Sequence, residues 1–583
     1  MTLIRNPVNK KQQKIAGSIG VVLFGVIPCF GSVFVSSFGR LFVSNNKNVK
    51  GIVMLLSRSL FLLLAILLVP SPIVAQVTFS QIAITGGEAP GVDGAEFGGF
   101  NPGIGPGGPA INASGDVAFK TLLTGTGPDV RAIFGPTSRA GSPLGLLAQE
   151  GVPAPGVEDG AELSLFFNHL SLNASGDVAF LAFLGSENIP AIFGPTSGAG
   201  SPLGPIVQAR NQAPGMDGRV FSFFGFPAFN ASGDIAFEAG FFSSRSAVFG
   251  PTAGAGSSLG PIAQQNEVAP GVDDGAVFGP LTGEFFELSL NASGDVAFGA
   301  ILRTEPGLGF PPEGEFAGTA IFGPTAGTGS PLGLIVRSGD PAPGVGDGAV
   351  FGGVQMPLML NDSGDVVFTA SLGTGTGNEV NSNNNTAIFG PTAGAGSPLG
   401  LIVRENTPAP GVDDGATFDN FTFRNSSSPS LNASGDISFV AELRTGTGDV
   451  VDESNDAGLF TAVDGEFQLV VREGDLFTVT LPDGSSTEDR TISSIVFSQN
   501  GMNDAGMLVF ILNFTDGTQG IFTAVNSPVL LGDVNRDGVV DFLDISPFIA
   551  VLALNGFQAE ADTNEDGEVN FLDIPPFIFF LAS

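Results

Sequence analysis

Seven related octapeptides, typified by NASGDVAF, begin at Asn112, Asn173, Asn230, Asn291, Asn361, Asn432 and Asn503, and they constrain the fold more than any other feature. A unit repeated every ~60–70 residues buries its apolar face only by packing against its neighbours. Each copy is followed by an IFGPT-like segment at Ile133, Ile192, Val248, Ile321 and Ile388, with degenerate forms at Leu459 and Ile521. Most units then carry an LGLIV-type run that leads into APGVDDG. NxSGD reads as a turn, because Asn and Asp bond their own backbone and Gly accepts positive φ. Runs such as DVAFLAFL, AIFG and LGLIV are short, β-branched or Phe-rich, and bounded by Gly and Pro, as strands are. An upstream run, FFELSL before Asn291, supplies a fourth strand. Four antiparallel strands per unit make a propeller blade, although periodicity alone also allows a linear stack of β-units.

The ends of the repeat region favour a closed ring. Gln81 to Phe97 (QIAITGGEAPGVDGAEF) matches the end of a unit, as in Leu334 to Phe351, yet it precedes the first NASGD turn. The last unit stops after Gly520 to Val525 and lacks a final strand of its own. A first strand that completes the last blade removes two exposed sheet edges, whereas a solenoid has no use for the offset. The reading is an all-β, seven-bladed propeller over residues 77–526, sealed by its N-terminal strand.

Gly (85) and Pro (41) are abundant, but 53 Phe and a 43% hydrophobic fraction supply enough apolar surface for ordered cores. Phe is the only aromatic residue. Residues 1–76 hold eight of the 22 Lys and Arg and none of the 57 Asp and Glu, which leaves a strongly acidic remainder with a single lysine, Lys120. Such a body repels nucleic acid and anionic membrane surfaces. The only cysteine, Cys29, lies in the N-terminal segment. Removal of that segment excludes disulfides, thiolate metal sites and cysteine nucleophiles.

Arg58, the apolar run Ser59 to Val69 and the small residue Ala75 have the layout of a secretory signal over residues 54–76, with Met54 at its start. Residues 1–53 then read as an over-extended N-terminus. The alternative is a membrane anchor over residues 19–38, a stretch long enough to span but rich in Gly and Ser. Both readings place the body outside the cytoplasm, secreted or at the cell surface.

NASGD also fits the N-x-S glycosylation pattern, although a tripeptide that recurs with the fold reads first as a hairpin turn. The segments between second and third strands are longest in repeats four to six: Leu302 to Thr319, Leu372 to Thr386 and Leu443 to Ala457. These segments, 302–319, 372–386 and 443–457, leave the same edge of the ring and are the expected place for a polysaccharide or surface-protein ligand.

Two twelve-residue segments near the C-terminus have the ligand spacing of calcium loops. In Asp533 to Asp544 the ligands are Asp533, Asn535, Asp537, the Val539 carbonyl, Asp541 and Asp544. In Asp562 to Asp573 they are Asp562, Asn564, Asp566, Glu568, Asn570 and Asp573. Calcium takes six to eight oxygens, and oxygen side chains at these alternate positions wrap one ion per loop, two in all. Gly538 and Gly567 stand at the sharp turns.

Paired DxNxDGxxxxxD loops, each leading into a short apolar helix, resemble a type I dockerin over residues 531–583. The resemblance implies a small α-helical module that folds on binding calcium and plugs its carrier into a cohesin-like partner. Carriers in that family are often enzymes or binding modules that act on polysaccharide. The sequence departs from the family at loop positions 10 and 11, where small polar residues are usual and Phe542-Leu543 and Phe571-Leu572 stand here. Pro547 and Pro575-Pro576 are expected to open the helices, because a missing N–H costs little there. The repeat body with this terminus also resembles secreted β-propeller repeat proteins of planctomycete-type bacteria.

The residues for several catalytic chemistries are scarce. One histidine, His169, sits in a strand-like run and reads as structural; there is no Tyr, and zinc ligation lacks Cys and further His. Carboxylate chemistry remains, and Glu284, Glu287, Glu313, Glu315 and Glu442 lie near strand ends or long loops without a spacing that selects a pair. The expected function is an exported, non-catalytic binding or assembly protein held in a complex by its calcium module. The alternative is a dockerin-borne glycoside hydrolase using a carboxylate pair.

Overall fold

The computed structural model describes residues 75–528, apart from 102–106, 126, 159, 243–244, 282–287, 306–315, 347, 374–379, 413–414, 422–428, 445–450 and 464, and, beyond them, residues 532, 534, 540, 542–554, 561, 563 and 569–581. Of the expected signal over 54–76, residues 54–74 lie outside the described residues, as does the anchor candidate over 19–38. Among the described residues no helix is long and apolar enough to cross a membrane.

The unit Ala75–Val529 is a seven-bladed β-propeller of four- and five-stranded antiparallel sheets. Blade 1 runs from an inner strand in two pieces, Glu96–Phe100 and Ala110–Ile111, through Val117–Thr124 and Val130–Pro136 to an outer strand, Leu144–Gln149. Blade 7 ends differently. Its outermost strand is Ala75–Ile84, which pairs antiparallel with Gln519–Pro528 in a register that sets Thr78 opposite Val525. The N-terminal strand therefore seals the ring, as the offset of the repeats requires. Blade 7 also begins with an added hairpin, Leu476–Thr480 paired with Thr487–Val496. This hairpin grips the seal: Gln81 Nε2 donates to the Thr480 carbonyl at 2.8 Å, and the Thr480 N–H donates to Gln81 Oε1 at 2.9 Å.

Each blade is built around one cross-strand pair of phenylalanines, from the DVAF and IFG segments: Phe119/Phe134, Phe180/Phe193, Phe237/Phe249, Phe298/Phe322, Phe368/Phe389, Phe439/Phe460 and Phe510/Phe522. All fourteen rings are buried, with centroids between 5.3 Å (Phe180/Phe193) and 6.5 Å (Phe510/Phe522). Burying one Phe is worth about 2–3 kcal/mol, and the ring pairing adds about 1 kcal/mol. With no Tyr or Trp at these positions, the rings bring no phenol hydroxyl or indole N–H that needs a partner.

The NxSGD turn does more than reverse the chain. In blade 3, Asn230 Oδ1 accepts from the backbone of Ser232 and Asp234, closing the turn. Its Nδ2 then reaches the Asn291 carbonyl of blade 4 at 3.1 Å. The same link runs from Asn112 to Asn173, Asn173 to Asn230, Asn291 to Asn361 and Asn361 to Asn432, and Asn503 closes on Asn112 at 2.9 Å. In blades 1 to 5 the Asp of the turn holds its own blade: Asp234 Oδ2, for example, accepts from the Gly256 N–H, in the turn between third and outer strands. That GxG turn receives the next NxSGD turn so closely that a Cβ on Gly233, at φ +86°, would lie 2.3 Å from the Ala199 nitrogen. The seven asparagines are buried and engaged, so the N-x-S pattern marks a fold contact and offers no accessible acceptor amide.

Asn230→Ala removes the acceptor of two turn-closing bonds and one inter-blade donor from a buried site. It is expected to cost about 2–4 kcal/mol. Urea unfolding of the full chain measures this, and an unchanged midpoint would show that the inter-blade links carry no stability.

Candidate functional site

The C-terminal unit carries the clearest ligand chemistry. Two helices, α1 (Ile545–Leu554) and α2 (Ile574–Leu581), are related by a face-to-face stack of Phe548 on Phe577, 3.9 Å apart and 3° from parallel. Val534, Ala561, Phe548 and Phe577 form the core. The helices begin at Ile545 and Ile574, before the prolines expected to open them; Pro547, Pro575 and Pro576 all fall in the first turn, where backbone N–H groups have no helical partner in any case.

Of the expected calcium ligands, Asp544, Asn570 and Asp573 are described; Asp533, Asn535, Asp537, Val539, Asp541, Asp562, Asn564, Asp566 and Glu568 lie outside the described residues. Asp544 and Asp573, the twelfth residues of the two loops, are both completely buried. A buried carboxylate is costly unless a cation or donors satisfy it. Asp573 organises its loop: Oδ2 accepts from the Asn570 N–H at 2.8 Å, its carbonyl from Thr563 Oγ1 at 2.6 Å and from the Phe577 N–H at 2.9 Å. Two buried carboxylates at equivalent positions of an oxygen-rich repeat fit calcium, and among the described residues no cluster of three or more His, Cys, Asp or Glu competes as a metal site. Phe542, Leu543, Phe571 and Leu572, at positions 10 and 11 of each loop, are exposed.

Inside the ring a polar hub joins blades 7, 6, 1 and 2. The blade 7 segment Ser498–Gly501 reaches blade 2, two blades away, which is possible only across the inside of the ring. Gln499 Nε2 lies 2.9 Å from His169 Nε2, and Asn500 Nδ2 donates to the Leu170 carbonyl. Ser430 of blade 6 donates to the Gln499 carbonyl, and Ser498 Oγ donates to Pro109 of blade 1. His169 stacks on Phe226 of blade 3 at 5.2 Å, and burial pushes its pKa down to about 4. The lone body lysine is also internal. Lys120 Nζ donates to the Phe166 carbonyl at 2.9 Å. Burial lowers its pKa to about 7, with Arg131 adding to the effect and Glu150 opposing it. Neither the hub nor this buried lysine was legible in the sequence, because their partners come from other blades.

The remaining candidates lie at the edge where second strands hand over to third strands. In blades 4, 5 and 6 this interval runs from Arg303 to Phe316, from Gly373 to Thr386 and from Arg444 to Ala457. Glu284, Glu287, Glu313 and Glu315 are outside the described residues, and Glu442 is half-buried in the second strand of blade 6, opposite Asn420. The described residues therefore do not bring the sequence-predicted carboxylates together. Between blades 3 and 4 a cleft of about 480 Å³ is lined by turn residues including Thr252, Ser293 and Asp295, and it repeats the blade geometry.

A family model described as a family of unknown function, DUF7453, matches residues 75–528, and a dockerin type I domain matches residues 531–575. No curated protein matches the chain. Among solved structures, polysaccharide lyase Uly1 is 10% identical, with 77% of this chain and 99% of that chain covered and a TM-score of 0.34. An ulvan lyase of polysaccharide lyase family PL25 is 11% identical, with 74% and 96% covered and a TM-score of 0.32. Both neighbours are polysaccharide lyases, and on that finding the sequence-based expectation of a non-catalytic body is withdrawn. At these TM-scores the likeness carries no residue role, reaction or substrate to this chain.

The His169 site predicts an acid-side loss of stability. The folded pKa of about 4 lies below the ordinary 6.5, so the unfolded chain binds the proton first. The contribution is complete above pH 6.5 and drains away as pH falls towards 4, about 3 kcal/mol in all. His169→Gln is expected to flatten urea-unfolding free energies between those pH values; a curve parallel to the parent would refute this.

Proposed function

This chain belongs to the DUF7453 family of unknown function, and from that premise we propose that it is an exported, polysaccharide-degrading propeller carried by a calcium-dependent dockerin. The dockerin at its end is the observation that carries the proposal, since modules of that family attach their carriers to cohesin partners and commonly deliver proteins that act on polysaccharide. The buried Asp544 and Asp573 support binding of two calcium ions, one per loop, with Asp533, Asn535, Asp537, Val539 and Asp541 completing the first and Asp562, Asn564, Asp566, Glu568 and Asn570 the second. Calcium in these loops neutralises carboxylates that otherwise repel, so folding of the module and partner binding are coupled to the ion. Exposed Phe542-Leu543 and Phe571-Leu572 suit a cohesin-like partner with an apolar face. The acidic body and the signal-like segment 54–76 support a secreted or cell-surface location.

Calorimetric titration of the chelator-treated full chain is expected to give two calcium sites, and Asp544→Ala/Asp573→Ala to lose both. An unchanged heat in the double variant would reject the loop assignment. Degradation is tested by incubating the chain with a panel of neutral and anionic polysaccharides, following new reducing ends for hydrolysis and absorbance near 235 nm for elimination. New chain ends on any polymer support the proposal; a panel left intact, with two calcium ions bound, would remove the degrading role.

A further inference from the structure

Blades 1 and 5 carry different chemistry at three equivalent positions. In blade 1 these are Lys120 on the second strand, Arg131 on the third and Glu150 just after the outer strand. In blade 5 the same places hold Thr369, Thr386 and Glu405. Register fixes the correspondence. Lys120 lies opposite Ile133 and Thr369 opposite Ile388, while Arg131 lies opposite Leu122 and Thr386 opposite Ser371. Glu150 and Glu405 follow Gln149 and Arg404, which lie opposite Ala132 and Ala387.

In blade 1 the protein's own cations satisfy the glutamate. Arg131 Nη1 pairs with Glu150 Oε1 at 3.3 Å, and the Arg131 backbone N–H donates to Glu150 Oε2 at 3.2 Å. Arg131 and Glu150 both act on Lys120, whose Nζ donates to the Phe166 carbonyl on the inner strand of blade 2. Blade 5 keeps the glutamate and its backbone bond, with the Thr386 N–H donating to Glu405 Oε2 at 2.8 Å. Both cations are gone. Glu405 is only 7% exposed, and among the described residues no Lys or Arg pairs with it. A buried carboxylate is costly without a counter-charge.

The two threonines supply oxygens at the positions of the missing cations. Thr369 is fully buried and Thr386 is 9% exposed, and among the described residues neither Oγ1 has a hydrogen-bond partner. Equivalent hydroxyls in other blades do have one. Thr319 Oγ1 of blade 4 accepts from the Val354 N–H of blade 5 at 3.0 Å, and Ser246 Oγ of blade 3 from the Leu281 N–H of blade 4 at 2.7 Å. Phe421 of blade 6 is the counterpart of Phe166, since it follows Asn420, opposite Glu442, as Phe166 follows Leu165, opposite Phe183. Hydroxyl, carboxylate and carbonyl oxygens with no nitrogen or sulfur suit a hard cation. One carboxylate is neutralised by one monovalent ion, whereas a divalent ion leaves a buried charge uncompensated. We propose that Thr369 Oγ1, Thr386 Oγ1, the Glu405 carboxylate and the Phe421 carbonyl hold a sodium- or potassium-sized cation between blades 5 and 6, where blade 1 uses Lys120 and Arg131.

Calorimetric unfolding of the chelator-treated full chain tests the site at the propeller transition. Sodium, potassium and tetramethylammonium chlorides are compared at one ionic strength, the last cation being too large to enter. Sodium or potassium is expected to raise the midpoint saturably above its value in tetramethylammonium. Thr369→Val and Glu405→Gln are each expected to lose that gain. Thr369→Lys/Thr386→Arg, which copies blade 1, is expected to hold the raised midpoint in all three salts. Equal parent midpoints in the three salts, or a gain retained in Thr369→Val and Glu405→Gln, would overturn the site. A gain from added calcium alone, lost in Thr369→Val, would overturn the monovalent class.

Discussion

The bond from the turn asparagine to the carbonyl of the next blade, made by Asn112, Asn173, Asn230, Asn291, Asn361 and Asn503, is the contact on which the ring depends. The strand ladders use up their backbone hydrogen bonds within a blade, so neighbouring blades meet through side-chain packing, through this amide and through single backbone bonds between turns, such as that from the Ala140 N–H to the Ser175 carbonyl. A primary amide has an acceptor and two donors held in one plane. Asn230 uses the acceptor to close its own turn and a donor to fix the position of Asn291. An aspartate could close the turn and would have nothing to give the neighbour. At the fifth position of the same motif the requirement reverses: Asp234 must accept from the Gly256 N–H, and a carboxylate does so. Asn and Asp are therefore not interchangeable turn formers in this motif.

The same reasoning separates what the sequence could tell from what it could not. Period, strand number and the displaced first strand are local patterns, and they led to seven blades and to the seal formed by Ala75–Ile84. The turn itself was legible because Asx turns are local. Its second bond was not, since Asn173 lies 61 residues from Asn112 and no pattern announces which carbonyl will be nearby. The hub is further from view. Gln499 and His169 are 330 residues apart, and FSQNG in isolation resembles any polar turn. The extra hairpin of blade 7 did leave a sign, the turn residues Pro482-Asp483-Gly484 between two β-branched runs, which the repeat count overlooked. Ten of the twelve calcium ligands are Asp or Asn at the same loop positions because ion geometry dictates spacing, which makes such loops easier to recognise than any carboxylate pair brought together by folding.

The interior of the ring also joins blades that are not neighbours. The hub joins blades 7, 6, 1 and 2 through neutral groups, and burial holds His169 unprotonated at ordinary pH. One edge is made of NxSGD and GxG turns, whose polar atoms are committed to each other. The opposite edge alone varies among blades, and there the outer strands end on Gln or Arg according to loop length.

That correlation bears on how a repeat protein acquires a specific face. Seven copies of one unit present seven equivalent edges, and a linear ligand needs an asymmetric surface with a defined direction. Lengthening three adjacent loops breaks the symmetry, but a long loop alone loses conformational entropy when it binds. One Gln-to-Arg change per blade, at Arg337, Arg404 and Arg472, supplies a donor long enough to reach the returning strand, and its planar guanidinium fixes the direction of the bond.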